Sequence, residues 1–600
     1  MKHPTTVWLQ TIGFWLGLFI AASTVANDAA VNAVIEEHWA WTLENYPEWR
    51  LEYGDRSGNR DWTDLSLEAI ASRHEALGEF SQRLQSIEPA GLSNQAALNR
   101  LMLLRELGDE RQRFEQGLHL IAIDMRSGPQ HRFSMTERLS FTTEADYRDW
   151  LARLEKMPVQ LAQYTALLKQ GIAQNRVQAQ VIMSRVPAQL ARVINDNPRL
   201  SPFYGIFEQL PEAIPADVQA DIQAEAQRVI TEVLNPAYQK FQTFINETYL
   251  PASRPEPGIG SLEGGKGAYQ FLASSFTTTD LTPEEIHQIG LDEVARIRTE
   301  MEAVIEDVGF DGDIQAFNEF LRSDPQFYYS TPQELLEGYQ AVSKRLDPEL
   351  VKLFGTLPRM PYGVRPIPED IAPDTTTAYY MQPAADGTRP GWYYVNLHKP
   401  EVRPKFEMEV LSVHESVPGH HLQIAIAQEL GELPEFRRAS GVTAFVEGWG
   451  LYSERLGYDM GLYQDPYSRY GQLVYDMWRA VRLVVDTGMH YFGWSRDRAI
   501  AYFMANAAKT ETDIINEIDR YIGWPGQALA YKIGQLKMLE LRARAEEDLG
   551  EAFDIRAFHD HLLGAGAIPL DVLETRMLLW IETQQPKQPV NSRRRQSVER

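Results

Sequence analysis

A chain of 600 residues exceeds what one hydrophobic core usually holds, and two large lobes are expected. Apolar residues make up 44%, enough for a sizeable core, while a formal charge of -25 disfavours nucleic acid as a general partner. No cysteine is present, which excludes disulfides, cysteine-linked lipid and thiolate ligands within this sequence; any metal must be held by His and carboxylates.

Residues 1–26 place Lys2 before a long apolar stretch that ends in Ala-Ser-Thr-Val-Ala, the layout of a signal peptide cleaved after Ala26, with a periplasmic or secreted product. An uncleaved anchor is the rival reading, because Val7 to Ala26 is about long enough to span a bilayer. No later run is apolar enough to cross a membrane, so no stable insertion is expected after cleavage. From Ala33 to about Leu250 the pattern is helical, with Leu77, Phe80, Leu84 and Ile87 on one stripe and Leu98, Leu101, Leu104 and Leu107 on the next. The Pro/Gly-rich stretch Pro251 to Gly267 is the expected boundary. Gly260, Gly265 and Lys266 stand there at phosphate-loop spacing, but Gly267 occupies the position that needs Ser or Thr, and no strand leads in, so a linker or lining loop is expected.

Two helix starts follow, at Thr282-Pro-Glu-Glu285 and Thr331-Pro-Gln-Glu334, each with a Thr cap, a Pro in the first turn and a Glu that closes a capping box. A Pro-rich passage, Leu357 to Pro373, then leads to the two strands Thr377 to Gln382 and Trp392 to Leu397, joined through Asp386-Gly387 as a hairpin. From Pro404 onward the pattern is helical again. The fold class expected is mainly α: two helical lobes around a channel, with a small hairpin or sheet beside a metal-binding helix. The boundaries are 1–26 for the leader, 27–255 for an N-terminal helical region, 256–585 for a catalytic region, and 586–600 for a basic, unstructured tail containing Arg593, Arg594 and Arg595.

The stretch Val410 to Leu430, VLSVHESVPGHHLQIAIAQEL, carries the chemistry. A zinc hydrolase needs two imidazoles on one helix face, a carboxylate base next to the first and a third ligand from elsewhere. Here His414 and His420 are six apart, about 600° of helix rotation and some 120° off one face. A π-type widening of the turn would absorb the extra residues, and Pro418 and Gly419 make a local break chemically expected. His421 is on the right face but roughly 10 Å further along the axis, which suits a supporting or substrate contact better than a ligand. Glu447, in the apolar context TAFVEGWGLYSERLG, is the expected third ligand, since an unpaired carboxylate there is costly to bury. Glu454 follows on the same face as a supporting group, and close approach of a neighbour would explain Gly448 and Gly450.

HESVPGHHLQ, FVEGWGLYSERLG, RLVVDTGMHYFGW and RYIGWPGQALAYKIGQLK, together with TTTDLTPEEIHQIGLDEV and GWYYVNL, closely resemble the bacterial domain-of-unknown-function 885 family, grouped with zinc peptidases of the gluzincin type. The similarity runs from about residue 35 to 580. It implies one zinc ion held by His414, His420 and Glu447, with Glu415 as general base, and a more distant similarity to the thimet oligopeptidase and angiotensin-converting enzyme families. Those families use a plain H-E-x-G-H helix, and the Ser-Val-Pro insertion departs from it. In such peptidases a late-helix Tyr, often helped by a His, stabilises the oxyanion. Tyr531 stands in that role here, with packing in a helix interface as its alternative, and His490 is a second donor candidate.

Arg482, Asp486 and His490 recur at four-residue steps, either as a structural ion-pair row or as groups for ligands and a substrate carboxylate. Asn396 on the Trp392 to Leu397 strand is a candidate anchor for substrate backbone, with the strand's free edge open to an extended peptide. His398, His559 and His561 read as solvated. The expected activity is hydrolysis of short peptides by an exported zinc peptidase. Alternatives are a metal-dependent amidase on non-peptide or cell-wall-derived amides, and a non-catalytic periplasmic binding protein. Cobalt or manganese suits the same ligands, and oligomeric state is open.

Overall fold

The structure, a computed structural model, describes residues 8–585 apart from 53–54, 370–371, 373–375, 385–386, 388, 432 and 440. The first seven leader residues, Asp386 of the expected hairpin link and the 586–600 tail therefore lie outside the described residues. The fold is mainly α with one three-stranded sheet, as the patterning predicts. Among the described residues no helix is long and apolar enough to cross a membrane.

Local signals set many helix ends. Both capping boxes form: Thr282 opens the Pro283–Asp307 helix and Thr331 opens Pro332–Leu346, each with its Glu returning to the cap. Of the N-terminal stripes, Phe80, Leu84 and Leu107 are buried, but Leu101 is exposed. Steps of three rotate about 300°, so the second stripe drifts off its face, and Met102 and Leu103 enter the core instead.

Three large apolar clusters organise the described residues, with a fourth, small one at Ile367, Ala372 and Tyr394 on the sheet. One is built wholly from Trp62 to Tyr249. A second joins Val31 to Leu107 with Ile259 to Ile581, so the first helices pack beside the C-terminal ones. The third surrounds the Pro466–His490 helix, buried along nearly its whole length and flanked by Pro283–Asp307. A helix buried on all its faces, its polar residues Asp476, Arg479, Arg482 and Asp486 included, stands at the centre of the packing.

The loop at Pro251 to Gly267 lies against the end of that central helix. A Cβ at Gly258 or Gly260 would stand 2.0 or 2.1 Å from the carbonyl oxygens of Met489 and His490, so backbone packs directly on backbone. These glycines serve close packing.

The sheet corrects one expectation. β1 (Tyr362–Pro366) pairs parallel to β3 (Gly391–Val395), and β2 (Ala378–Met381) pairs antiparallel to β3 on its other side. β3 is therefore central and has no free edge for a peptide. Prolines at 361 and 366 obscured β1 in the sequence, yet they fall at its margins on an edge strand, where a missing N–H is tolerated.

Candidate metal centre

The helix Met408–Glu415 ends where Ser416 turns to φ -105°, ψ -111° and a cis Val417–Pro418 bond follows; a new helix, His420–Glu429, starts two residues later. The expected π-type widening is thus replaced by a complete break between two helices. The break is hydrogen-bonded throughout: Gly419 N donates to Val413 O at 2.9 Å, His421 N to Ser416 O at 3.0 Å, and buried Trp449 Nε1 to Pro418 O at 2.8 Å. A Cβ at position 419 would stand 2.0 Å from the His414 carbonyl oxygen, so only glycine fits.

This break brings His420 back to His414, with ring centroids 4.6 Å apart and planes at 86°. Glu447, from the Thr443–Asp459 helix, completes the group: its Oε2 is 3.5 Å from His420 Nε2 and 3.8 Å from His414 Nε2. Metal–ligand bonds of about 2.0–2.2 Å at tetrahedral angles separate ligand atoms by roughly 3.3–3.6 Å. His414, His420 and Glu447 form a cluster with donor atoms within 4.8 Å of one another. Glu447 Oε2 is buried without a hydrogen-bond partner among the described residues, as an atom reserved for a cation would be. The donor set and the orphaned oxygen fit a single divalent metal. The group is not fully sealed from solvent, the side chains being 5%, 12% and 21% exposed for His414, His420 and Glu447.

Two glycines make room for it. A Cβ at Gly450 would lie 2.7 Å from His414 Cε1, and one at Gly448 would lie 2.6 Å from Gly534 Cα on the Leu529–Leu549 helix. One admits the His414 ring and the other lets two helices touch. Glu454, one turn beyond Gly450, is fully buried and its Oε1 accepts from His414 Nδ1 at 2.8 Å, which turns Nε2 toward Glu447. Arg479 Nη2 stands 3.7 Å from that same oxygen. Arg479 escaped the sequence reading; its signal was a second arginine in WRAVR, one turn before the Arg482, Asp486 and His490 series.

Burial alone would lower the His414 pKa, but Glu447, Glu454 and Glu415 outweigh it and push it up to about 9. Burial likewise opposes ionisation of Glu447, and the two imidazoles hold its carboxyl well below the usual range. A metal must displace the His414 proton, so affinity is expected to rise by about tenfold per pH unit toward pH 9 and then to level off. Chelator competition between pH 6 and pH 10 measures this slope; a flat profile would contradict it. In the metal-free protein the raised pKa stabilises the fold fully below the unfolded value of 6.5, a contribution lost as pH rises through about 9. Glu454→Gln is expected to weaken metal binding about 10–100-fold with the fold retained, read by the same competition and by circular dichroism.

Glu415 follows His414 at the last helical residue, is partly exposed, and is near enough to raise the pKa of His414. Tyr531, on the Leu529–Leu549 helix, has its phenol pushed up by burial and then by Glu447; its helix touches that of Glu447 where Gly534 meets Gly448. Arg482 lies with its guanidinium carbon 4.3 Å from the Tyr531 ring centroid.

The remaining candidates face elsewhere. His490 accepts from Ile259 N at 3.1 Å through Nδ1 and donates from Nε2 to Tyr521 O at 3.0 Å; burial lowers its pKa to about 3. With both nitrogens engaged by backbone, it has no proton for an oxyanion. His421 packs on the sheet, its Nε2 donating to Met360 O at 3.0 Å and its Nδ1 accepting from Tyr380 at 2.9 Å. Asn396 is fully buried, donates to Ala372 O at 2.7 Å and Thr376 O at 3.1 Å, and accepts from His398 N, so it ties its own loop together instead of meeting substrate. Arg482, Asp486 and His490 do not pair as a row: Asp486 accepts from Tyr269 at 2.6 Å and Gly526 N at 3.1 Å. His559, expected in solvent, is buried between Tyr452 and Leu353 O.

A family model described as "Bacterial protein of unknown function (DUF885)" matches residues 47–577. The chain belongs to this family. Among solved structures it is similar to a candidate lipoprotein from Colwellia psychrerythraea, at 28% identity and a TM-score of 0.86, over 93% of this chain and 99% of that one. A candidate lipoprotein of unknown function from Shewanella oneidensis matches at 17% identity and a TM-score of 0.72, over 91% and 98%; at that identity the likeness is one of fold. No curated protein matches.

Proposed function

We propose that this DUF885 protein is an exported zinc-dependent peptidase that hydrolyses short peptides, a site of gluzincin type. The observation that carries this reading is the convergence of His414, His420 and Glu447 on one point, with a carboxylate, Glu415, directly beside the first imidazole. His414 Nε2, His420 Nε2 and Glu447 Oε2 would hold the ion. When bound, zinc supplies a Lewis acid that acidifies water and polarises a carbonyl.

The chain's own groups supply the proton traffic. Glu415 takes a proton from the attacking water as its oxygen bonds to the scissile carbon, then gives that proton to the nitrogen as the C–N bond breaks. The Tyr531 hydroxyl donates to the oxygen that gains charge, and Glu454 keeps His414 in the required tautomer. Export rests on the leader pattern and on the candidate lipoproteins that share the fold, although this sequence offers no cysteine to carry a lipid.

Metal analysis of the purified chain, followed by a mixed-peptide digest read by mass spectrometry, tests the reading. One equivalent of zinc with metal-dependent cleavage is the expected result. A chain that stays metal-free in added zinc and cuts no peptide would favour the binding-protein alternative, and cleavage restricted to non-peptide amides would favour an amidase.

A further inference from the structure

Glu454 is held from two sides. It is fully buried, and its ion partners among the described residues are His414, whose Nδ1 donates to Oε1 at 2.8 Å, and Arg479, whose Nη2 stands 3.7 Å from that oxygen. Arg479 in turn is buried and has Glu454 as its one carboxylate partner among the described residues. Its guanidinium is fixed from its own helix. The carbon lies 4.6 Å from the Tyr475 ring centroid and 5.3 Å from that of Trp478, and Nη1 donates to Tyr475 O at 3.3 Å. Tyr463 Oη donates to the Glu454 carbonyl at 2.9 Å, which secures the backbone and leaves the carboxylate to His414 and Arg479.

The other charges around this pair are met without it. Asp476, one turn earlier on the central helix, is bound by Lys532 and Arg296, and Arg482, one turn later, by Glu517. Asp486, a further turn on, accepts from Tyr269 and Gly526 N. Lys509, which lies over the same two rings, donates to Glu407 at 2.8 and 2.9 Å, and Arg455 reaches toward Glu300. Arg479 and Glu454 therefore compensate each other, and a buried carboxylate stripped of its cation is strongly disfavoured where it stands. At 3.7 Å the two do not share a hydrogen, so the guanidinium holds the carboxylate without competing with His414 for Oε1.

We propose that Arg479 is a positioning residue of the metal centre: its guanidinium fixes the Glu454 carboxylate against His414 Nδ1, so that Nε2 is aimed at the point shared with His420 and Glu447. Arg479 acts through Glu454 alone. This rests on the metal-site part of the reading above and not on the substrate.

A double-mutant cycle on metal affinity tests it, with zinc competed against a chelator for wild type, Arg479→Gln, Glu454→Gln and the double variant, and the fold followed by circular dichroism. Arg479→Gln is expected to weaken zinc binding about tenfold in the wild-type background, and by less than about twofold once Glu454 is glutamine. Arg479→Lys keeps the charge on a shorter chain without the planar fork; it is expected to lose about threefold, again only where Glu454 is present. Equal losses in both backgrounds would make Arg479 a general support of the fold and overturn the proposal. Unchanged affinity in Arg479→Gln would do the same, as would tighter binding, the outcome of plain repulsion between guanidinium and ion. Should Arg479→Gln fail to fold, Arg479→Lys carries the same comparison, and no loss by it in either background also overturns the proposal. The expected cycle in a protein that cleaves no peptide would uphold Arg479 and sink the peptidase reading. Peptide cleavage together with equal losses would sink the role of Arg479 alone, and a wild type that binds no zinc would sink both.

Discussion

Glu415→Gln is expected to keep one equivalent of zinc and to lose peptide cleavage by about 10²–10⁴-fold, the usual contribution of a positioned acid–base group. The substitution conserves shape and leaves His414, His420 and Glu447 untouched, since Glu415 is not among the clustered donors. An amide cannot accept the proton that the attacking water must release. Glu415 is also the last residue of its helix and partly exposed, so the change disturbs no core packing. Zinc content by mass spectrometry and initial rates on one peptide measure the two halves of the prediction. Loss of metal together with activity would recast Glu415 as a support of the site, and full activity would move the base elsewhere.

Glu447→Ala is expected to bring metal content after dialysis from one equivalent to nearly none, a larger loss than the 10–100-fold set for Glu454→Gln. The alanine removes one of three donors, the carboxylate oxygen that faces both Nε2 atoms. It also removes a group that holds the His414 proton, so the His414 pKa is expected to fall toward its ordinary value. Neighbouring Gly448 and Gly450 keep their contacts, and helicity by circular dichroism is expected to stay at the wild-type level. A variant that retains a full equivalent of zinc would remove Glu447 from the ligand set.

Much of the centre was legible because it is local. His414 and Glu415 are adjacent, Glu447 stands in an apolar helix where a lone carboxylate makes little sense, and Gly448 and Gly450 announce close approach. The two capping boxes were legible for the same reason: cap and closing glutamate are three residues apart. The route by which His420 reaches His414 was not, since six residues of ideal helix point it away. The sequence marked a break at Pro418 and Gly419, but its shape depends on Trp449, about thirty residues away, holding the Pro418 carbonyl.

By itself, then, the sequence determined the mainly α class, the restriction to His and carboxylate ligands, and the identity of the residues able to serve. Helical periodicity, caps and the absence of thiols are properties of short segments or of composition. Tertiary structure alone decided which polar groups remain available: it made β3 a central strand, gave both nitrogens of His490 and the whole of Asn396 to backbone, and set Arg479 against Glu454. The physical reason is that a buried polar group must be satisfied by whatever packs against it, and those partners lie tens to hundreds of residues away along the chain.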